Sequence, residues 1–368
     1  MASRKQSSGS SGTRRASRAS AKALAQNPFF ALLSMVQREV EPRLAGFLET
    51  RLDVARGHGA EVAEMVSAVR DLCLRGGKRF RPALLVAGFR AASSRGSLEL
   101  ALDAGVALEL LQAYLLIHDD WMDGDLVRRG GPSVHALLAK RFRSQHKGHA
   151  SGILAGDYAA AVALEALSQL DLPTGTAQAA FGCFAQMQLD AIAGQQLDLV
   201  GKSYDVERAY QLKTGSYTVR GPLCLGAILG AAKRETLGAL ERFALPLGVA
   251  FQLRDDLLSA FGDPKDTGKP FGGDLRSGKR TVLLTQALKR ARGRDLLLLK
   301  RVAGNQRARE SDVRRGLAVL ESSGARGYVE ARVDELLAEA SAALSTHVTP
   351  EGAALLAGAA QALTARRS

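Results

Sequence analysis

The chain has 368 residues, of which 46% are hydrophobic and 24% charged, and its formal net charge is +13. This is the balance of a globular protein with a sizeable core, and it argues against wholesale disorder and a collagen-like chain. Aromatic residues make up only 5% and are not interleaved with basic residues, which argues against a nucleic-acid binder.

Residues 1–26 form a basic tail of Ser, Gly, Ala, Arg and Lys without a hydrophobic period, and we predict that this tail is disordered. Six Lys or Arg residues and no acidic residue precede Phe29, which leaves +7 of the +13 for the rest of the chain. The tail is interpreted as a solvated extension or, alternatively, as an organelle-targeting peptide. We attribute the remaining +7 to a ligand site.

From residue 27 onward, helix-forming residues dominate and apolar residues recur every three or four positions. The pattern predicts one all-α domain over residues 27–368, built of roughly ten or more helices. Glycines and prolines mark the expected breaks, which are Gly76–Gly77, Gly130–Pro132, Gly148, Pro173, Gly201, Gly221–Pro222 and the stretch 262–278.

The apolar runs of the sequence are short for a membrane protein. No uninterrupted apolar run reaches the roughly 18 residues of a membrane-spanning helix, so we expect no membrane span. The best candidate, 105–117, contains Glu109 and Gln112.

The three cysteines lie far apart, which favours reduced thiols in a cytoplasmic protein over disulfides or a zinc site.

The first acidic cluster ends the apolar helix predicted over 101–117 and contains Asp119, Asp120 and Asp123. Asp119 and Asp123 are four residues apart and share one helix face, where like charges repel each other. The helix dipole also disfavours anions at this end. The alternatives are a solvated acidic helix end and a carboxylate site for a hard cation such as Mg²⁺.

A second acidic cluster, Asp255, Asp256 and Asp263, follows another apolar helix in the same way. Two such clusters predict two helices that face each other across a cavity. Several cations accompany them, namely Lys78, Arg81, Arg128, Arg129, Lys213, Lys269, Lys279 and Arg280. Acidic residues and diphosphates share a cavity only with divalent metals and fixed Lys or Arg residues between them, so this set points to diphosphate ligands.

The motifs resemble those of the trans-isoprenyl diphosphate synthases, or polyprenyl synthetases. In chain order they are GGKRFRP (76–82), DDWMD followed by RRGGPS, ILAGDY (153–158), GQQLD (194–198), KTGSYT (213–218) and FQLRDD with GDPKDTGKPFGGDLRSGKRT. The resemblance implies an all-α isoprenoid synthase fold and a homodimer. It also implies Mg²⁺-dependent condensation of isopentenyl diphosphate with an allylic diphosphate.

Site residues follow from the same resemblance. Asp119, Asp123 and Asp255 match the Mg²⁺ ligands of a site that holds about three ions, with Asp120 in support. The cations that match the allylic diphosphate site are Arg128, Lys213 and Lys269. The groups that match the isopentenyl diphosphate pocket are Gly77, Lys78, Arg81, Gln112, Arg129 and Phe251. Thr214 and Gln252 match groups that stabilise the allylic cation, and Arg366 and Arg367 match a C-terminal segment that closes over the second diphosphate.

One departure keeps an alternative open. The family's second motif usually has a third aspartate where this chain has Ser259. The resulting spacing of Asp255, Ser259 and Asp263 resembles the metal motif of class I terpene cyclases. Because cyclases have no need of the isopentenyl pocket, we favour a synthase over a cyclase, an inactive synthase-like subunit or a nucleic-acid binder.

Product length is expected to depend on the residues one turn before Asp119, which are Tyr114 and Leu115. An aromatic side chain at this place would form a floor under the growing chain. The alternative for Tyr114 is ordinary core packing. We therefore predict a short product, geranylgeranyl diphosphate first and farnesyl diphosphate second.

Overall fold

The computed structural model describes residues 27–201, 204–262, 272–344 and 347–364. Several predicted features lie outside these residues, namely the tail 1–26, Asp263, Lys269, Arg366 and Arg367. Within them the chain is almost entirely helical, which confirms the all-α prediction.

The elements of the first half are α1 (Pro28–His58), α2 (Ala60–Leu74), α3 (Phe80–Ala92), α4 (Glu99–Asp123), β1 (Val127–Arg128), β2 (Gly131–Pro132), α5 (Val134–Arg141), α6 (Gln145–Ser168) and α7 (Thr174–Val200). The two short strands pair antiparallel, and Gly130 makes the turn between them with φ +71°. The glycines predicted as a break therefore form a tight hairpin.

The second half comprises α8 (Val206–Tyr210), a π-helical segment (Gln211–Arg220), α9 (Gly221–Leu229), α10 (Arg234–Phe261), α11 (Gly273–Ser277), α12 (Val282–Arg290), α13 (Gly293–Val302), α14 (Glu310–Ser322), α15 (Ala325–Ala343) and α16 (Pro350–Thr364). The π-helical segment, Gln211–Arg220, contains the KTG motif. A π-helix is rare and is found mostly at functional sites.

Two predicted breaks are wrong, because these residues serve packing and helix initiation. Gly148 lies in the first turn of α6, where a Cβ would come within 2.3 Å of the Ala139 Cβ on α5. Gly221–Pro222 opens α9 directly after the π-helical segment. Proline is well suited to the first turn of a helix, because its missing amide would have no partner there.

The core forms around α3, α4 and α9, which are buried along nearly their whole length. Glycines bring α3 and α9 into close contact. A Cβ at Gly88 would lie 2.1 Å from the Leu223 carbonyl oxygen, and one at Gly226 would lie 1.8 Å from that of Leu85. Any side chain at either position would therefore force the central helices apart.

Two helices, α4 and α6, are long and apolar enough to cross a membrane by length and composition. The expectation of no membrane span stays a prediction. The two helices pack against each other, and 67% and 44% of their most apolar windows are buried inside the molecule. Buried core helices meet the same test, so these helices alone assign no membrane location.

The cysteines match the prediction of free thiols. Cys73 and Cys224 are buried and Cys183 is partly buried. Burial raises the pKa of Cys73 to about 12 and that of Cys183 to about 11. These thiols therefore stay protonated at neutral pH, which makes them poor nucleophiles and poor metal ligands.

Candidate active site

The first acidic cluster occupies the last turn of α4, where Asp119 and Asp123 lie one turn apart. Gly124 then ends the helix in the left-handed conformation, with φ +70°. Removal from water and the charge of Asp119 raise the pKa of Asp123 to about 6. The two carboxylates therefore repel each other in a way that a bound cation would relieve.

Asp120 plays a different part, because its side chain is buried. It accepts hydrogen bonds from the Arg128 guanidinium, with Nε 2.7 Å from Oδ1. Burial raises the pKa of Asp120 to about 6 in spite of this partner. Asp120 thus holds Arg128 beside the cluster, and Asp125 lies 3.3 Å from the same guanidinium.

Lys213 reaches this cluster from the π-helical segment. Its Nζ donates to Oδ2 of Asp198 at 2.6 Å and lies 3.5 Å from Oδ1 of Asp119. Burial lowers the pKa of Lys213, but the charges of Asp119 and Asp198 outweigh this and raise it. The approach depends on Gly194 of α7, where a Cβ would lie 2.2 Å from the Lys213 amide nitrogen.

The second cluster lies on α10 and approaches the first through Asp198. Lys279 is half-buried; removal from water lowers its pKa, but Asp256, Asp274, Asp198 and Asp255 outweigh this and raise it. Asp198 raises the pKa of both Lys213 and Lys279, so its charge acts on a cation beside each acidic cluster. The clusters therefore share one electrostatic environment.

A chain of hydrogen bonds runs inward from the π-helical segment to Tyr210. The Thr214 hydroxyl donates to Oε1 of Gln252 at 2.8 Å, and Nε2 of Gln252 donates to Oδ1 of Asp256 at 2.9 Å. The Tyr210 hydroxyl donates to Oδ2 of Asp256 and accepts from the Val282 amide at 3.2 Å.

These hydrogen bonds determine which atom of each side chain donates and which accepts. Because Asp256 accepts from the Gln252 amide nitrogen, the amide oxygen must point to Thr214. The Thr214 hydroxyl hydrogen is then used, so its lone pairs are left for the cavity beside it. Such an oxygen can stabilise positive charge.

Replacing Tyr210 by Phe tests this chain. The variant removes one of the donors to a carboxylate that is buried in the core. We expect the free energy of unfolding to fall by about 1–3 kcal/mol, as measured by urea denaturation. Tyr328→Phe on the exposed side of α15 is the control and should change it by less than about 0.5 kcal/mol. Equal stabilities of the two variants would contradict the hydrogen-bond assignment.

A cavity of about 270 Å³ lies on the other side of α4. All six residues predicted for the isopentenyl diphosphate pocket line it, namely Gly77, Lys78, Arg81, Gln112, Arg129 and Phe251. Burial lowers the pKa of Arg129, and the positive charges of Arg79 and Arg81 act in the same direction. The structure thus brings together residues from α3, α4, α10 and the loops between helices.

Two contacts hold the cationic side chains of this cavity. Arg81 donates to the Thr218 hydroxyl at 2.7 Å and stacks over the Tyr217 ring at 4.5 Å. Beneath the loop that contains Gly77 and Lys78, the guanidinium of Arg79 forms a fully buried ion pair with Glu109. It also donates to the Cys73 carbonyl oxygen at 3.0 Å. Arg79 thereby ties the loop to α2 and α4.

A second cavity, of about 340 Å³, begins at Asp119, Lys213 and Thr214 and continues between α4 and α7. Its other walls are mostly apolar and include Tyr114, Leu115, Leu116, Met122, Ala191, Ile192 and Leu199. Tyr114 is buried, and its ring packs edge-on against His118 with centroids 5.1 Å apart. The cavity can therefore hold an apolar chain whose charged end lies at the acidic cluster.

No role was predicted from the sequence for three residues that the structure places in or under the site, namely Arg79, Asp198 and Tyr210. Asp198 lies within the GQQLD motif, so a signal was present for it. Arg79 stands between Lys78 and Arg81, and nothing in the local sequence separates this buried cation from exposed Lys78 or half-buried Arg81. Tyr210 precedes the KTG motif without any distinguishing pattern.

The residues present fit a hard divalent cation. No three His, Cys, Asp or Glu residues in the described ranges gather closely enough to hold a metal by themselves. Asp119 and Asp123 provide oxygen donors with excess negative charge, and Asp255 lies across the site near Lys279. This donor set suits Mg²⁺, which keeps some water and completes its coordination with phosphate oxygens.

Comparison with known proteins agrees with this geometry. A family model described as polyprenyl synthetase matches residues 62–320. A geranylgeranyl diphosphate synthase of Mycobacterium tuberculosis is 35% identical over 277 residues, which cover 73% of this chain and 75% of that protein. The farnesyl diphosphate synthase of Escherichia coli is 35% identical over 263 residues, covering 67% and 84%.

A solved structure is similar along most of the chain. The geranylgeranyl pyrophosphate synthase of Corynebacterium glutamicum, crystallised with isoprenyl diphosphate and magnesium, superposes with a TM-score of 0.85 at 35% identity. The match covers 91% of this chain and 99% of that one. The terpene cyclase alternative finds no comparable support. The chain therefore belongs to the polyprenyl synthetase family of trans-prenyltransferases and has the all-α isoprenoid synthase fold.

Proposed function

We propose that the chain is a short-chain prenyl diphosphate synthase that joins isopentenyl diphosphate to an allylic diphosphate in the two cavities. One observation carries this proposal. An apolar cavity headed by Asp119 and Lys213 lies beside a cavity lined by Lys78, Arg81 and Arg129. The first suits an allylic diphosphate with its hydrocarbon chain, and the second suits a smaller diphosphate.

Charged side chains bind the diphosphate, and neutral oxygens stabilise the allylic cation. Lys213 and Arg128, each held by a carboxylate, are placed to bind the allylic diphosphate. Thr214 and Gln252 present oxygen lone pairs near the allylic carbon as it becomes a cation, and apolar walls keep water from quenching it. When bound, Mg²⁺ would supply Lewis-acid neutralisation of the departing diphosphate, and about three ions are expected from the family resemblance. The isopentenyl double bond attacks the allylic cation to form the new C–C bond, and the proton then lost passes to the released diphosphate. The reaction therefore needs neither a side-chain nucleophile nor a side-chain base.

Product analysis tests the proposal. The protein is incubated with Mg²⁺, labelled isopentenyl diphosphate and dimethylallyl, geranyl or farnesyl diphosphate in turn. We expect label to enter a longer diphosphate, and we expect chelation by EDTA to stop the reaction. Release of a hydrocarbon or alcohol without use of isopentenyl diphosphate would overturn the proposal in favour of a cyclase.

The proposed product is geranylgeranyl diphosphate, with farnesyl diphosphate second. Tyr114 supports this, because its buried ring lines the apolar cavity about one turn before Asp119. Leu115 lines the same cavity. The floor is therefore bulky, which limits how far a chain can grow.

Replacing Tyr114 by Ala is expected to lengthen the product by at least one isoprene unit, because the truncation opens space at the floor of the cavity. Chromatography of the dephosphorylated products measures the change. The control is Tyr158→Ala on α6, which removes a tyrosine ring that packs against the core outside the cavity lining. It should leave the product length unchanged. An unchanged product from Tyr114→Ala would place the floor elsewhere.

We also propose that the protein works as a cytoplasmic homodimer. Apolar side chains are exposed on the consecutive helices α6 and α7, namely Ile153, Leu154, Leu164, Leu189, Ile192 and Leu199. Ile192 and Leu199 also line the apolar cavity, so a second copy on this face would close its open side. Sedimentation velocity of the full chain would show a dimer, and a monomer with full activity would contradict the proposal.

A further inference from the structure

The positive charge of the folded domain is concentrated in one segment of the sequence. Residues 289–315 contain ten Lys or Arg residues and three acidic residues, a net charge of +7. Residues 27–288 and 316–368 together sum to zero. The attribution of the +7 to the diphosphate site is therefore wrong, because the cations there are balanced by nearby aspartates.

This basic segment spans the end of α12, all of α13 and the start of α14, and its cations are exposed. Arg301 and Arg315 share the single carboxylate of Asp312, at 3.1 and 3.6 Å. Within this described segment, only Arg301, Arg314 and Arg315 have a carboxylate at salt-bridge distance. The other seven cations have none, namely Lys289, Arg290, Arg292, Arg294, Lys300, Arg307 and Arg309. The segment thus keeps an excess of unneutralised positive charge at the surface.

The outer face of α13 combines this charge with an apolar side chain. Leu297 is 68% exposed, more than any other large hydrophobic residue that the structure describes. Arg294, Lys300 and Arg301 are spaced three or four positions from it and share its face. The inner face packs Leu298, Leu299 and Val302 into the core, so Leu297 makes no contribution there.

We propose that this basic segment, residues 289–315, is a docking surface for an anionic lipid bilayer. Lys and Arg near a negatively charged membrane are attracted to it, and an apolar side chain among them can enter the headgroup region. A nucleic acid fits less well, because the segment contains no aromatic residue for base stacking and its centre is a leucine. The inference does not depend on the catalytic proposal.

The test is sedimentation of the full-length protein with vesicles. Because residues 1–26 add six cations of their own, all variants are made in a chain with those six replaced by Gln. The probes are vesicles of phosphatidylcholine alone and vesicles with about 30% phosphatidylglycerol, an anionic content that gives a negative surface potential. We expect binding to the anionic vesicles only, and weaker binding as salt is raised.

Two variants and a matched control locate the binding. Replacing Arg294, Lys300, Arg307 and Arg309 by Gln should reduce vesicle binding by about tenfold or more. The control replaces four exposed cations on other faces, Arg38, Arg95, Lys147 and Arg234, and so has the same net charge. Leu297→Gln should weaken vesicle binding several-fold without changing binding to duplex DNA. All variants should keep their helical circular dichroism and their turnover of soluble substrates.

Three outcomes would overturn the proposal. The first is equal vesicle binding by the segment variant and the control. The second is binding that disappears once the tail is neutralised. The third is tighter binding to duplex DNA than to anionic vesicles, with no effect of Leu297→Gln on either, which would indicate a nucleic-acid surface instead.

Discussion

Replacing Asp119 by Asn is expected to reduce prenyl transfer by about 10³-fold or more while leaving the fold intact. Asp119 lies at the head of the apolar cavity, 3.5 Å from Lys213, and shares its helix face with Asp123. The change keeps the volume of the side chain but removes one of the charges that a divalent cation would need. Loss of such stabilisation is worth several kcal/mol, and each 1.36 kcal/mol is tenfold in rate.

The control for this variant lies on the same helix. Asp103 is near the other end of α4, where it pairs with Arg43 in a partly exposed ion pair. Asp103→Asn should leave turnover unchanged, because surface pairs contribute little. Steady-state assays with saturating Mg²⁺ and circular dichroism separate activity from folding. Full activity in Asp119→Asn would remove Asp119 from the site.

The second large effect is expected in stability, from Arg79→Met. Arg79 and Glu109 form an ion pair whose side chains are only 1% and 3% exposed. Removal of one partner leaves an uncompensated charge in the core, which costs about 3–5 kcal/mol. Urea denaturation at neutral pH measures this loss. The loop of the cationic cavity also loses its tie to α2, so the KM for isopentenyl diphosphate should rise.

The double variant Arg79→Met with Glu109→Leu is the matched test. It removes both charges and fills the space with apolar atoms, so it should recover most of the lost stability. It should not recover the KM, because the contact between Arg79 and the Cys73 carbonyl oxygen stays absent. A single variant as stable as the wild type would show that the buried pair carries little energy.

Helix periodicity predicted the fold class because the 3.6-residue repeat of apolar positions is a local property. Gly148 and Gly221 were wrongly predicted as breaks for a related reason. Their function is to allow close packing or to begin a helix, and a short list of local sequence signals does not distinguish these roles from a turn. Glu109, which interrupts the apolar run of α4, is paired with Arg79 inside the core, and local sequence did not reveal this partner.

In the site as well, local spacing predicted some features and only the packing of distant residues revealed others. Asp119 and Asp123 were predicted to share a face because a spacing of four residues determines this in any helix. Their neighbour Asp120 points into the core and binds Arg128, which the motif does not reveal. All six residues predicted for the isopentenyl pocket line one cavity, but this assignment came from the family resemblance and not from spacing alone.

By itself, the sequence determined the all-α class, the helix face of the first acidic pair and the amount of positive charge. Only the tertiary structure decided which cations are held by which carboxylates. Lys213 with Asp198, Arg79 with Glu109 and Arg128 with Asp120 are such pairs. The reason is physical, because a helical repeat follows from bonds between near neighbours along the chain. An ion pair depends on which distant helices pack together and on how much water their packing removes.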